Sequence, residues 1–120
     1  MWVYSQSTGQ LSKDSLAVVC GYSGCKDGKN NPECQDDKNL GPIPQGMWTL
    51  TECFDSTKHG PYCIRLEPAE GTITFGRDGF LIHGDSINHP GEASEGCIIL
   101  PRRFREQVWE SFDTQLEVVP

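Results

Sequence analysis

Phe80-Leu81-Ile82-His83-Gly84-Asp85-Ser86-Ile87-Asn88-His89-Pro90-Gly91-Glu92-Ala93-Ser94-Glu95-Gly96-Cys97-Ile98-Ile99-Leu100 places two short apolar runs on either side of a polar loop with glycine and proline. Apolar runs of this length, bounded by turn residues, read as strands. The first run ends in His83 and the second begins at Cys97. Two strand ends joined by one loop lie side by side, which brings imidazole and thiol within hydrogen-bond reach. A thiol is a weak nucleophile until a base or a positive neighbour favours its thiolate. Gly96 lets the backbone approach a substrate and leaves the amides near Cys97 free for an oxyanion. A plainer reading stands beside this one. A cysteine among apolar residues is commonly a small core hydrophobe or half of a disulfide, and a histidine at a strand end a polar terminus.

Upstream, Thr72–Phe75 and Phe80–His83 flank Gly76-Arg77-Asp78-Gly79, a hairpin signal. Met47–Cys53 and Tyr62–Glu67 alternate like half-buried strands. Trp2–Ser5 and Gln10–Lys13 read as strands joined at Ser7-Thr8-Gly9, and Ser15–Cys20 as an apolar, central strand. Residues 21–40 form a long polar loop, of a length that is usually functional or stapled. Downstream, Pro101 suits the first turn of a helix, and Phe104, Val108 and Phe112 would pack it on the sheet. Leu116, Val118 and Val119 suggest a closing strand. The sum is one mainly β domain over residues 1–120, a β-sandwich or rolled sheet with one late helix and a long stapled loop. A chain of 120 residues suffices for one core and not for two.

The net charge of −7 and the lack of a basic stripe exclude a nucleic-acid binder. The one basic cluster, Arg102, Arg103 and Arg105, falls at the helix start. The acidic balance also opposes bulk attraction to an anionic membrane or wall, so contact has to come from a site. No stretch approaches a membrane-spanning helix. Met1-Trp2-Val3-Tyr4-Ser5 lacks the basic start and apolar region of a cleaved signal peptide, which fits a trimmed chain or an export route that needs no leader.

Six cysteines, Cys20, Cys25, Cys34, Cys53, Cys63 and Cys97, suggest an oxidising destination. Their spacing does not form the paired knuckles of a zinc site. Cys25 and Cys34 bracket the polar loop and would staple it. Cys53 and Cys63 flank a turn and would face each other across a hairpin. With Cys97 a free nucleophile, Cys20 is the odd one out, expected as a buried thiol. Connectivity is not fixed by sequence. His59, in the hairpin turn, and His89, beside Pro90, read as surface residues. Trp48 and Trp109 read as core.

Ile82-His83-Gly84 followed by Ser94-Glu95-Gly96-Cys97-Ile98 closely resembles the active-site signature of the L,D-transpeptidases. Gly41-Pro42-Ile43-Pro44-Gln45-Gly46-Met47-Trp48-Thr49-Leu50 resembles that family's segment entering a core strand. A nearer resemblance is to the small L,D-transpeptidase-like effectors that bacteria inject through the type VI secretion system. It is carried by Tyr4–Gly9, Gly21–Gly24 and Asn30–Pro32 and spans nearly the whole chain. There are two departures. Glu95 stands where the family often has histidine, and Ile99 where an arginine is common. Arg102 or Arg103 would have to supply that charge.

The resemblance implies a cell-wall enzyme. Cys97 would attack the carbonyl before the terminal D-amino acid of a peptidoglycan tetrapeptide stem, and His83 would take and return the proton. The Gly84 carbonyl would orient the imidazole, and the Gly96 and Cys97 amides would hold the oxyanion. Ser94 positions the loop, binds the stem or is a turn residue with neither role. Tyr22 and Ser23 either line the groove or form a turn. Asp85 either caps the loop or binds the donor's amine. No metal or organic cofactor is needed. The outcome would be L,D-carboxypeptidase action, exchange or cross-linking. The resemblance also implies an antibacterial toxin secreted without a cleaved signal peptide, acting in the periplasm of a target bacterium. Its implied partners are stem peptides, an immunity protein and a component of the secretion machine. Three rivals remain open: a cysteine peptidase on protein substrates with the same pair, a non-catalytic disulfide-stabilised secreted binding module, and a wall-binding effector that has lost activity.

Overall fold

Alternation dictates the two longest strands. In Gly46–Ser56, Trp48 and Leu50 turn inward while their neighbours face outward, and Gly60–Pro68 answers with buried Ile64 and Leu66. The computed structural model describes residues 1–120. Its strands are β1 (Trp2–Ser5), β2 (Gln10–Lys13), β3 (Leu16–Cys20), β4 (Tyr22–Ser23), β5 (Gly46–Ser56), β6 (Gly60–Pro68), β7 (Leu81–His83), β8 (Ile98–Ile99) and β9 (Gln115–Val119). One helix, α1 (Arg102–Glu110), follows Pro101, which occupies its N-cap.

All nine strands join one mixed sheet in the order β3-β2-β1-β9-β5-β6-β7-β8-β4. The pairs β1–β9 and β7–β8 are parallel and the rest antiparallel. The outermost strands, β3 and β4, are separated in the chain by Gly21 alone. The sheet therefore has to roll until its edges nearly meet. Gly21 sits at that seam: its amide donates to the Gly9 carbonyl at 2.8 Å, and an added Cβ would lie 1.9 Å from the Ile99 oxygen. Inside the roll, Trp2, Tyr4, Leu11, Ile43, Trp48, Leu50, Ile64, Leu66, Phe80, Ile82, Ile98, Leu100, Val108, Leu116 and Val118 form one core. The alternative of two stacked sheets is thereby replaced by a rolled one.

Several expectations are corrected. β3 is an edge strand, not a central one, because the left-handed turn at Asp14 and Ser15 folds it back outside β2; Leu16 is 71% exposed. Thr72–Phe75 forms no strand, so the hairpin at Gly76–Gly79 is absent. β7 pairs with β6 instead, and Arg77 leaves the turn to enter the protein. Phe112 is 88% exposed, because the helix ends at Glu110 and Phe112 follows it in a left-handed conformation. Arg105 is buried on the helix instead.

All six cysteines are free thiols in this structure. Cys53 lies opposite Ile64 and Cys63 opposite Phe54, an offset of one residue, so they are not a cross-strand pair. Cys25 Sγ contacts the Asn39 carbonyl at 3.3 Å, whereas Cys34 Sγ accepts from Asn31 Nδ2. The loop is held by hydrogen bonds, not by a staple. Cys20 is exposed, since the edge strand that carries it has no outer neighbour.

Candidate active site

β7 and β8 run parallel, with Ile82 beside Ile98 and His83 beside Ile99. Ile82 and Ile98 enter the core. By strand alternation, Leu81, His83, Cys97 and Ile99 belong to the other face. The loop 84–96 thus returns the chain so that Cys97 and His83 share one face and one cleft of about 570 Å³. Cys97 Sγ accepts a hydrogen bond from the Leu81 amide at 3.4 Å. No hydrogen bond joins the thiol to the imidazole in this state, because the sulfur turns to Leu81, two residues before His83. In unliganded sites such bonds are often open and tighten around substrate.

His83 is 2% exposed. Its Nδ1 lies 2.8 Å from the Gly84 carbonyl, which can only accept, so Nδ1 carries the proton. Nε2 is then a lone pair; it is buried and has no hydrogen-bond partner. Burial is the main cause that pushes the His83 pKa down to about 4, opposed by the Gly84 carbonyl and assisted by nearby His59 and Arg105. Burial likewise pushes the Cys97 thiol up to about 11, against the Leu81 amide. The resting pair is a neutral thiol and a neutral imidazole whose Nε2 lone pair has no partner.

The loop ahead of Cys97 is tied at both of its ends. Ser94 Oγ donates to the Cys97 carbonyl at 2.6 Å and accepts from the amides of Gly24 and Gly96. Ser23 Oγ donates to the Gly96 carbonyl and accepts from the Ile43 amide. Tyr22 OH donates to Asp85 at 2.6 Å and accepts from the Ala93 amide. Asp85 caps the loop further by accepting from the Ser86 and Gly91 amides, and these bonds hold its carboxylate below the usual range against its partial burial. Ser94, Tyr22 and Ser23 therefore stand behind Cys97 and do not line the cleft, whereas Gly84, Asp85 and Gly96 do. Of the two amides expected to face an oxyanion, that of Gly96 is taken by Ser94. The Asn30–Pro32 run supports the same loop from further back, since Asn30 Oδ1 accepts from the Ser23 amide and locks the strand behind it.

Three residues matter here that sequence reasoning missed. Arg77 is buried and donates to the carbonyls of Gln35, Pro42, Gly41 and Glu95. It gathers the polar loop, the entry to β5 and the 84–96 loop around one guanidinium. His59 stacks on His83, ring centroids 4.3 Å apart and planes 27° from parallel. Arg105 donates to the carbonyls of Leu100, Tyr62 and Pro61, tying α1 to the end of β8 and to the β5–β6 hairpin tip. A turn arginine and a hairpin histidine give no local signal of such long-range contacts. Arg102 stacks on Tyr62 and pairs with Glu106, and Arg103 lies over Phe104, so neither enters the cleft. Its cations are Lys38, Lys58 and Arg77. No three His, Cys, Asp or Glu side chains cluster in a metal-binding arrangement.

A rolled mixed sheet with this late helix defines an L,D-transpeptidase fold. The structure is similar to an L,D-transpeptidase (Yku) from Stackebrandtia nassauensis, with a TM-score of 0.60 at 15% identity over 99% of this chain and 54% of that one. It is also similar to an L,D-transpeptidase from Mycobacterium smegmatis, with a TM-score of 0.52 at 18% identity over 99% of this chain and 58% of that one. The chain thus spans a little over half the length of these structures. No curated protein sequence matches it. Residues 17–119 match the Tlde1 domain, and the chain belongs to that family.

Proposed function

We propose that this protein is a cysteine enzyme that modifies peptidoglycan stem peptides, with Cys97 as nucleophile and His83 as general base. The observation that carries the reading is the buried, unpartnered Nε2 of His83 in the cleft that also holds the free thiol of Cys97. A buried acceptor without a partner is costly, and such sites are commonly functional.

As sulfur attacks the carbonyl before the terminal D-amino acid, its proton passes to Nε2. The Gly84 carbonyl keeps Nδ1–H in place and steadies the imidazolium. The Cys97 amide holds the oxyanion. Collapse breaks the peptide bond, the imidazolium returns the proton to the leaving amine, and a thioester remains. Water attacks it to give a free carboxylate. An amine gives exchange or a cross-link. The neutral resting pair means that proton transfer accompanies attack instead of preceding it.

Membership of the Tlde1 domain family supports the further reading of an antibacterial effector delivered by type VI secretion into the target periplasm. Purified tetrapeptide muropeptides incubated with the protein should lose the terminal D-amino acid by mass spectrometry; intact tetrapeptides beside degraded casein would favour a protein peptidase. Expression directed to the periplasm should kill and cytoplasmic expression should not. Equal killing from both compartments would remove the wall target.

A further inference from the structure

We propose that His59 is a positioning residue for the Cys97–His83 pair, holding the His83 imidazole by stacking on its face; this rests on the reading of Cys97 and His83 given above. The His83 ring has one hydrogen bond, from Nδ1 to the Gly84 carbonyl. One bond at one edge leaves the ring free to rock about it. A flat partner 4.3 Å away, 27° from parallel, removes that freedom and fixes where the Nε2 lone pair points.

The residue that supplies this contact is itself held in place. Ser56 Oγ accepts from the Lys58 and His59 amides at 3.2 and 3.0 Å, and Asp55 accepts from the Tyr62 amide. Arg105, buried on α1, donates to the Tyr62 carbonyl through Nε, to the Pro61 carbonyl through Nη2 and, through Nη1, to the Leu100 carbonyl just past β8. Hairpin tip, helix and nucleophile strand are thereby one body. A tip between two long strands would otherwise be free to sway. His59 also shields His83 from water while remaining half-buried on the cleft wall.

The titratable and charged groups that face His83 are His59 from the hairpin tip, Arg105 from α1 and Asp85 from the following loop, and the Cys97 thiol lines the same cleft. Lys58 and Glu95 face His59 in turn. Burial lowers the pKa of both imidazoles. Loss of the His59 ring admits water and lets the His83 pKa climb back toward its ordinary value.

The test compares wild type, His59→Ala and His59→Phe, the last keeping a flat ring without titration. His59→Ala should lower kcat for D-amino-acid release about tenfold with KM within about twofold, and His59→Phe should recover most of the loss. The acid limb of kcat should move to higher pH in His59→Ala. Two readouts need no cell-wall substrate. The His83 Nδ1–H signal in ¹H–¹⁵N spectra should persist in wild type and His59→Phe and be lost to exchange in His59→Ala. Iodoacetamide alkylation of Cys97 should show an altered pH profile in His59→Ala alone. If wild type released no D-amino acid, the substrate reading would fail while these two readouts still decided the role of His59. His59→Ala with a wild-type Nδ1–H signal and a wild-type alkylation profile would overturn it.

Discussion

A β-carbon on Gly96 would lie 2.5 Å from Nη2 of Arg77, so the residue before Cys97 has to be glycine as long as that arginine is buried there. The backbone requires it as well, since Gly96 has φ +139°. The Arg77 guanidinium meets four carbonyls and no carboxylate. Removing it leaves several buried acceptors without partners. Arg77→Met should therefore destabilise the fold by about 3 kcal/mol or more. Urea unfolding measures this; a change under about 1 kcal/mol would show that water replaces the guanidinium without penalty.

Ser94→Ala removes one hydroxyl that serves three backbone groups, all behind Cys97. A stability loss of about 1–3 kcal/mol is expected, with a fall in kcat and little change in KM, because Ser94 does not touch the cleft. A rise in KM at constant kcat would place the hydroxyl on the substrate instead.

His83 also governs a window of acid sensitivity. Its pKa falls from 6.5 in the unfolded chain to about 4 in the folded one. Between those values the unfolded chain holds a proton that the folded chain does not. Stability is therefore full above pH 6.5 and declines as pH falls toward 4, by on the order of 3 kcal/mol from this group. His59, also lowered, acts in the same direction. Asp85 and Asp113, both lowered from 3.8, lose their contributions only below that window. Unfolding at pH 7 and pH 4.5 should differ markedly for wild type and much less for His83→Gln. Equal pH dependence in the two proteins would assign the effect elsewhere.

Thiol titration addresses the cysteines. Denatured, unreduced protein should yield six thiols. In the native state the exposed Cys20 should react first and the buried Cys63 last. A denatured count of four or two would mean that pairs have formed outside the geometry described here.

The strands with plain alternation were legible: β1 and β2 fall where the sequence places them, and β5 and β6 where MWTLTEC and YCIRLE alternate. That Cys97 and His83 share one cleft was legible because a strand, a loop and a second strand carry them within fifteen residues of each other. What escaped reading was anything set by long-range closure. Leu16–Cys20 is apolar enough for a core strand, yet the roll of the sheet leaves it at the seam. Gly76-Arg77-Asp78-Gly79 is a sound local turn signal, but four carbonyls 18 to 42 residues away draw Arg77 inward. Ser94, Tyr22 and Ser23 could be singled out from the sequence; only the fold decides that they bond to the 84–96 loop from behind and do not line the cleft.

The most direct measurement is acid-quenched mass spectrometry of the protein during turnover of a tetrapeptide stem, followed by peptide mapping. The account predicts a hydroxylamine-labile acyl adduct on the peptide carrying residue 97, together with loss of D-amino-acid release by at least about 1,000-fold in a folded Cys97→Ala variant. Release that continues at the wild-type rate in Cys97→Ala, with no adduct on the wild-type enzyme, would contradict it.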